Sequence, residues 1–186
     1  MPNKNLLFFA LIPFRKLRDQ VVIFKQDFAK RFNSYEALKP PVHITIKTPF
    51  ICNDNAKNEL LSWFSELKFF QKQFNIQLKD FAAFPNKDRP VIYINPIETQ
   101  ELKGLQKEFI SGFGSLLPAY VTKLDVDFKA HMTVAYRDLS PDMFKKAWSE
   151  YQYKSFDAKF EVNAVHLMQH NSKKWELVNS CCLESD

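Results

Sequence analysis

The sequence predicts an α/β sandwich with mixed sheets, folded as one compact unit of two lobes over residues 1–186. Its length exceeds the usual size of one small domain yet stays below that at which hydrophobic cores split. Helical stripes and alternating strands succeed one another in both halves, with no linker or low-complexity stretch between them. Their order lacks the strict strand–helix alternation of a doubly wound sheet.

Taken along the chain, residues 6–14 form an apolar run behind Lys4 that could pass for the core of a signal peptide. Pro13 interrupts it, no small-residue cleavage site follows, and it leads into Arg15-Lys16-Leu17-Arg18. It also falls short of the ~20 residues of a membrane span. It reads as a buried strand, and a cytoplasmic protein without a membrane partner is expected. Leu17, Val21, Phe24, Phe28 and Phe32 then recur at helical spacing with polar residues between them. After Pro40-Pro41, residues 42–47 alternate as a strand does. Asp54 is placed to cap a helix whose inner stripe is Leu60, Leu61, Phe64 and Leu67. Residues 74–84 read as a strand, 85–90 as a turn and 91–94 as a second buried strand. Leu102, Leu105, Phe109 and Phe113 form the next helical stripe, ended by Gly112 and Gly114. Residues 121–126 read as a short strand, and 131–137 alternate again. Ser140-Pro141-Asp142 opens a helix, with Pro suited to its first position and Phe144, Ala147 and Trp148 facing inward. Strands over 156–167 and 175–183 flank a turn at 170–173.

Composition removes several functions. With only Gly104, Gly112 and Gly114, no glycine-rich phosphate loop of the Rossmann or Walker kind can be built. Three cysteines, Cys52, Cys181 and Cys182, argue against a disulfide scaffold, lack the spacing of a zinc site and have no basic neighbour to activate a thiol. The charge balance, 26 Lys+Arg against 21 Asp+Glu, is a net +5. It favours an anionic partner such as a phosphate ester or nucleic acid but decides nothing alone.

One feature stands above this background. His43-Ile44-Thr45-Ile46 and His131-Met132-Thr133-Val134 repeat the pattern His-x-Thr-aliphatic once in each half, 88 residues apart. With five threonines in 186 residues, a doubled motif has a chance expectation on the order of 0.4%. In a strand, side chains two apart share a face, so each His points with its Thr. Imidazole exists in both protonation states near neutral pH, so two histidines can serve one reaction as base and acid. Two threonine hydroxyls between them can hydrogen-bond phosphate oxygens. Such a site needs neither metal nor cofactor.

Two H-x-T-[IV] strands in a chain of this length resemble the 2H phosphoesterase superfamily, specifically its 2′-5′ RNA ligase-like branch. Phe84-Pro85-Asn86 through Arg89-Pro90-Val91-Ile92-Tyr93-Ile94 is similar to the F-P…R-P-hydrophobic hairpin of that family. The resemblance implies an α+β fold of two pseudo-symmetric lobes, with mixed or antiparallel sheets around a central cleft and helices outside. It implies catalytic roles for His43 and His131 and phosphate binding by Thr45 and Thr133. Substrates in the family include RNA with 2′,3′-cyclic phosphate ends, 2′-5′ linkages and small cyclic phosphodiesters. A monomer acting on RNA or a small cyclic nucleotide is expected.

Some relatives carry a basic residue after the second motif. Arg137, six beyond His131, and Lys47, four beyond His43, share the parity of the motif residues and are candidate phosphate contacts or solvated strand-end charges. Tyr136, of opposite parity, reads as packed. Phe84 is a candidate for stacking on a base, with a core role as the alternative. His166 and His170 read as structural or surface residues. Two functions follow: a metal-independent phosphoesterase, or an RNA- or nucleotide-binding protein with little turnover. Ligation of 2′-5′ RNA ends is the weaker form of the first, because hydrolysis of a strained cyclic ester runs downhill in water.

Overall fold

The structure, a computed structural model, describes residues 4–185; the outermost residues of the expected 1–186 unit lie outside the described ones. The chain runs β1 (Asn5–Leu11), α1 (Arg15–Phe32), β2 (Ile44–Cys52), α2 (Asp54–Glu66), β3 (Phe74–Phe84), β4 (Val91–Pro96) and α3 (Gln100–Leu116). It continues through α4 (Lys123–Val126), β5 (Met132–Ala135), α5 (Pro141–Tyr151), β6 (Asp157–Val162), β7 (Ala164–His170) and β8 (Trp175–Cys182). The strands form two four-stranded sheets, ordered β2-β1-β7-β8 and β5-β4-β3-β6. Every described ladder is antiparallel, where mixed sheets were one expectation. The two orders are related by pseudo-symmetry. Each motif lies on an edge strand, β2 or β5, and the two edges lie against each other.

The apolar N-terminal run is β1, an inner strand buried on both faces, which explains why it lacks alternation. On the outer face of the first sheet, Phe9 meets Phe64 of α2 and Phe109 and Phe113 of α3. On the second sheet, Phe81 meets Phe24 of α1 and Tyr151 of α5. Helices thus cover the outer faces, and the other faces are left to line a cleft. One cluster of buried side chains includes residues of both sheets.

Several local readings change. Residues 121–126, which follow a 3₁₀ turn at Pro118–Tyr120, are the short α4 and its capping segment, not a strand, because Thr122 and Asp125 form a reciprocal capping box. The span 156–167 is two strands: β6 completes the second sheet, and after Asn163 the chain crosses to the first as β7. Gly112 and Gly114 lie inside α3 and do not end it. A side chain at Gly112 would begin 3.0 Å from the Trp63 ring, so any larger residue there would have to displace that ring. The cap of α2 is Asn53, which accepts from the Ala56 N–H at 2.9 Å, while Asp54 accepts from Asn5 Nδ2.

Phe9 touches three aromatic rings and is fully buried, so Phe9→Ala should destabilise the fold by about 3–5 kcal/mol, read as a lowered urea midpoint with unchanged slope.

Candidate active site

Both sheets break their alternation one residue after the motif threonine, and this shapes the site. Between β1 and β2, Phe9 pairs with Lys47 and Ala10 with Thr45, leaving Ile46 as an extra residue. Between β4 and β5, Ile92 pairs with Ala135 and Tyr93 with Thr133, leaving Val134 extra. Each is a β-bulge at the same motif position, and each reverses the facing of the residues beyond it. Ile46 and Lys47 are both buried, as are Val134 and Ala135. Thr48 and Tyr136, five beyond their histidines, turn to the cleft instead.

The cleft is a cavity of about 600 Å³. It gathers His43, Thr45, His131, Thr133, Phe84 and Arg137 of the expected residues. Lys47 is not among them. Its side chain is fully buried and its Nζ lies 3.0 Å from Asp125 Oδ2. The bulge at Ile46 turns Lys47 away from the cleft face that its even spacing from His43 predicts. Arg137 reaches the rim by a different route from the one expected: β5 ends at Ala135, and Arg137 is exposed with a left-handed backbone, φ 61°. Tyr136, expected to be packed, is half-buried against the cavity, and burial raises its phenol pKa.

The two histidines are held alike. His43 Nδ1 lies 2.7 Å from the Pro41 carbonyl oxygen, and His131 Nδ1 lies 2.7 Å from that of Lys129, each two residues upstream. A carbonyl oxygen only accepts, so Nδ1 carries the proton in both rings. The unprotonated nitrogen of each neutral ring is therefore Nε2. Phe8 packs against His43 with ring centres 4.8 Å apart, while Phe84 and Tyr93 meet His131 edge-on at 5.4 and 5.7 Å. These aromatic walls remove water from both imidazoles. Desolvation lowers His43 to about 4, against the hydrogen bond to Pro41, with further lowering from the charges of Lys25 and His131. His131 is also lowered by desolvation, opposed by its bond to Lys129.

Lys25, on α1, also lines the cavity although the sequence reading passed over it. It is 3% exposed, its Nζ donates to the Pro40 carbonyl at 3.2 Å, and desolvation lowers it to about 8. A signal existed. Lys25 stands four residues after Val21 and three before Phe28, on the inner stripe of α1 that also includes Leu17 and Phe32.

The buried Lys47–Asp125 pair supports the site from beneath. Asp125 accepts from the backbone N–H groups of Thr48 and Thr122, both at 2.8 Å, and from their hydroxyls at 2.7 and 2.8 Å. Burial works to raise its carboxyl, but these donors outweigh it and leave the group below its ordinary value. Desolvation lowers Lys47, opposed by Asp125. Of the histidines expected to be structural or surface residues, His166 Nδ1 lies 2.8 Å from Ser180 Oγ, and His170 packs against Trp175. Among the described residues, no group of three or more His, Cys, Asp or Glu side chains could hold a metal ion, and no helix is long and apolar enough to cross a membrane.

With this geometry, comparison with known proteins is direct. The fold matches that of E. coli LigT complexed with 3′-AMP, with a TM-score of 0.68 and 16% identity over 97% of this chain and 99% of LigT. It also matches TT0787 of Thermus thermophilus, with a TM-score of 0.69 and 17% identity over 97% and 99% of the two chains. These likenesses define the class of fold: paired α+β lobes around one cleft. A candidate phosphoesterase of Bacillus licheniformis is 26% identical over 94% of this chain and 96% of its own. Another from Geobacillus thermodenitrificans is 24% identical over 92% of each. The profile of the 2′-5′ RNA ligase superfamily matches residues 13–174, and the chain belongs to that family.

Asp125→Ala leaves the Lys47 ammonium buried without its partner and strips the Thr48 and Thr122 donors of their acceptor. It should destabilise the protein by about 3–5 kcal/mol in equilibrium unfolding.

Proposed function

We propose that the protein is a metal-independent phosphoesterase acting on 2′,3′-cyclic phosphate RNA ends or related cyclic phosphodiesters through His43 and His131. The observation that carries this reading is the matched pair of imidazoles. Each has Nδ1 fixed by a carbonyl two residues upstream, leaving Nε2 to take or give the transferred proton in a shared cavity. Binding alone requires no such pair. The candidate phosphoesterases among the relatives, and LigT complexed with 3′-AMP, support a phosphate ester of a nucleotide as substrate.

His43 is held neutral by desolvation and then by the charges of Lys25 and His131, and serves as the base. Its Nε2 takes a proton from water as the water oxygen bonds to phosphorus. The phosphorus–oxygen bond to one ribose oxygen breaks, and protonated His131 gives its Nε2 proton to that oxygen. The products are a phosphomonoester and a free hydroxyl. His43 loses its proton and His131 regains one through solvent. Thr45 and Thr133 donate to the non-bridging oxygens, where negative charge must be held. Phe84, at the wall beside His131, offers a face for a base. Arg137 at the rim meets the anionic substrate as it enters.

Hydrolysis of 2′,3′-cyclic nucleotides and of a short RNA ending in a cyclic phosphate should persist in EDTA. It should fall by about 10²- to 10⁴-fold or more in His43→Ala and in His131→Ala, with both variants folded by circular dichroism. Comparable activity in either variant would end the reading. A p-nitrophenyl phosphodiester, whose leaving group needs no proton, should restore turnover to His131→Ala alone; restoration of His43→Ala instead would exchange the two roles.

The pH dependence has a defined sign. The base must be neutral, so kcat/KM rises as pH passes about 4. The acid must be protonated, so kcat/KM falls as pH passes the His131 value, which lies below the usual imidazole range. A kcat/KM profile should therefore peak on the acid side of neutrality. A peak above pH 7 would contradict the assignment.

A further inference from the structure

Among cations near the cleft, Lys25 alone combines burial with the lack of a carboxylate partner among the described residues. Lys47 is neutralised by Asp125. Arg137 and Lys129 line the cavity but are exposed. Lys25 stands on the inner stripe of α1, 3% exposed, with one protein acceptor, the Pro40 carbonyl at 3.2 Å. No ion pair among the described residues includes it, so a neutral carbonyl is its sole hydrogen-bond acceptor there. The neighbouring stripe positions are Leu17, Val21, Phe28 and Phe32, and an apolar residue would bury there at no electrostatic cost. Placing an ammonium there sacrifices stability, as groups held for binding often do.

We propose that Lys25 is the phosphate-binding cation of the cleft, receiving the oxyanion of the phosphate ester on the His43 side. The inference rests on the phosphoesterase reading and deepens it by naming the cation that pairs with the substrate anion. Lys25 and His43 line the same cavity, and the loop that supplies the Pro40 carbonyl to Lys25 supplies the Pro41 carbonyl to His43. Thr45 lines the same cavity, and the Lys25 charge already acts on His43, so a phosphate bound beside His43 and Thr45 shares the cavity with the Lys25 ammonium. In surroundings with little water, an N⁺–H···O⁻ bond is stronger than at the rim, where solvent screens it. Burial has already lowered the ammonium to about 8, and an arriving phosphate restores its preference for the charged form. The Lys25 charge that disfavours protonation of His43 is then balanced by the ligand.

The test uses the full chain as wild type, Lys25→Met and Lys25→Gln, with inorganic phosphate as probe at pH 6. Calorimetry should show phosphate binding about 10- to 100-fold weaker in Lys25→Met, the loss expected for one bond to a charged group. The melting temperature without phosphate should be unchanged or higher in Lys25→Met, while the rise that phosphate induces in wild type should be lost. A purely structural lysine would instead lower the melting temperature and leave affinity intact. Wild-type affinity in a folded Lys25→Met or Lys25→Gln would overturn the proposal. Should neither variant fold, the wild-type Lys25 side-chain resonance decides: it should shift on phosphate titration, and its failure to move while phosphate binds would overturn the proposal. Phosphate binding that depends on Lys25 in a protein without turnover would refute the phosphoesterase reading and leave this one standing. Turnover that needs both histidines but not Lys25 would do the reverse.

Discussion

The residue inserted after each motif threonine governs the site. In a regular strand, facing alternates without end, and everything polar beyond His43-x-Thr45 at even spacing would line the cleft. The bulges at Ile46 and Val134 limit that alternation to the His and Thr of each motif. Past them, Lys47 and Ala135 turn to the interior, and Thr48 and Tyr136 turn to the cavity. The same device in both edge strands makes the two halves of the cleft alike. It also lets Lys47 reach Asp125, so that one register shift both shapes the cavity and ties β2 to the segment around α4.

The cleft works by exclusion of water. Phe8 on one side and Phe84 with Tyr93 on the other surround the imidazoles with apolar surface, and the dominant effect on both rings is loss of hydration. Carbonyl oxygens at Pro41 and Lys129 oppose that effect and fix which nitrogen bears hydrogen. The cleft therefore holds neutral rings with their reactive nitrogens already assigned. Lys25 adds asymmetry: its charge acts on His43, whereas His131 is shifted by desolvation and by its bond to Lys129. Two motifs related by pseudo-symmetry can thus take different parts in one reaction.

The positive excess of the sequence acquires meaning only by location. Of the cavity-lining cations, Lys129 and Arg137 are exposed to solvent, which screens their charge, while Lys25 is desolvated. Lys47, whose sequence position suggested a ligand contact, is consumed by the internal ion pair. Formal charge counts all of these equally, although their surroundings make them chemically different.

The sequence by itself determined the chain's organisation and the motif pair. Helical periodicity marked α1, α2, α3 and α5, and alternation marked β2, β3 and β5, because these patterns are set by the geometry of one element and its near neighbours. The doubled His-x-Thr pattern located the two edge strands that meet at the cleft. Only the tertiary structure decided which residues beyond the motifs face it. A bulge depends on the partner strand, so nothing within residues 43–48 announces the extra residue at Ile46. The split of 156–167 between two sheets, the passage of α3 through Gly112 against Trp63, and the burial of Lys25 likewise depend on distant segments. Local sequence carries the period of an element; the facing of a residue past an irregularity, and the hydration of its charge, belong to whatever packs against it.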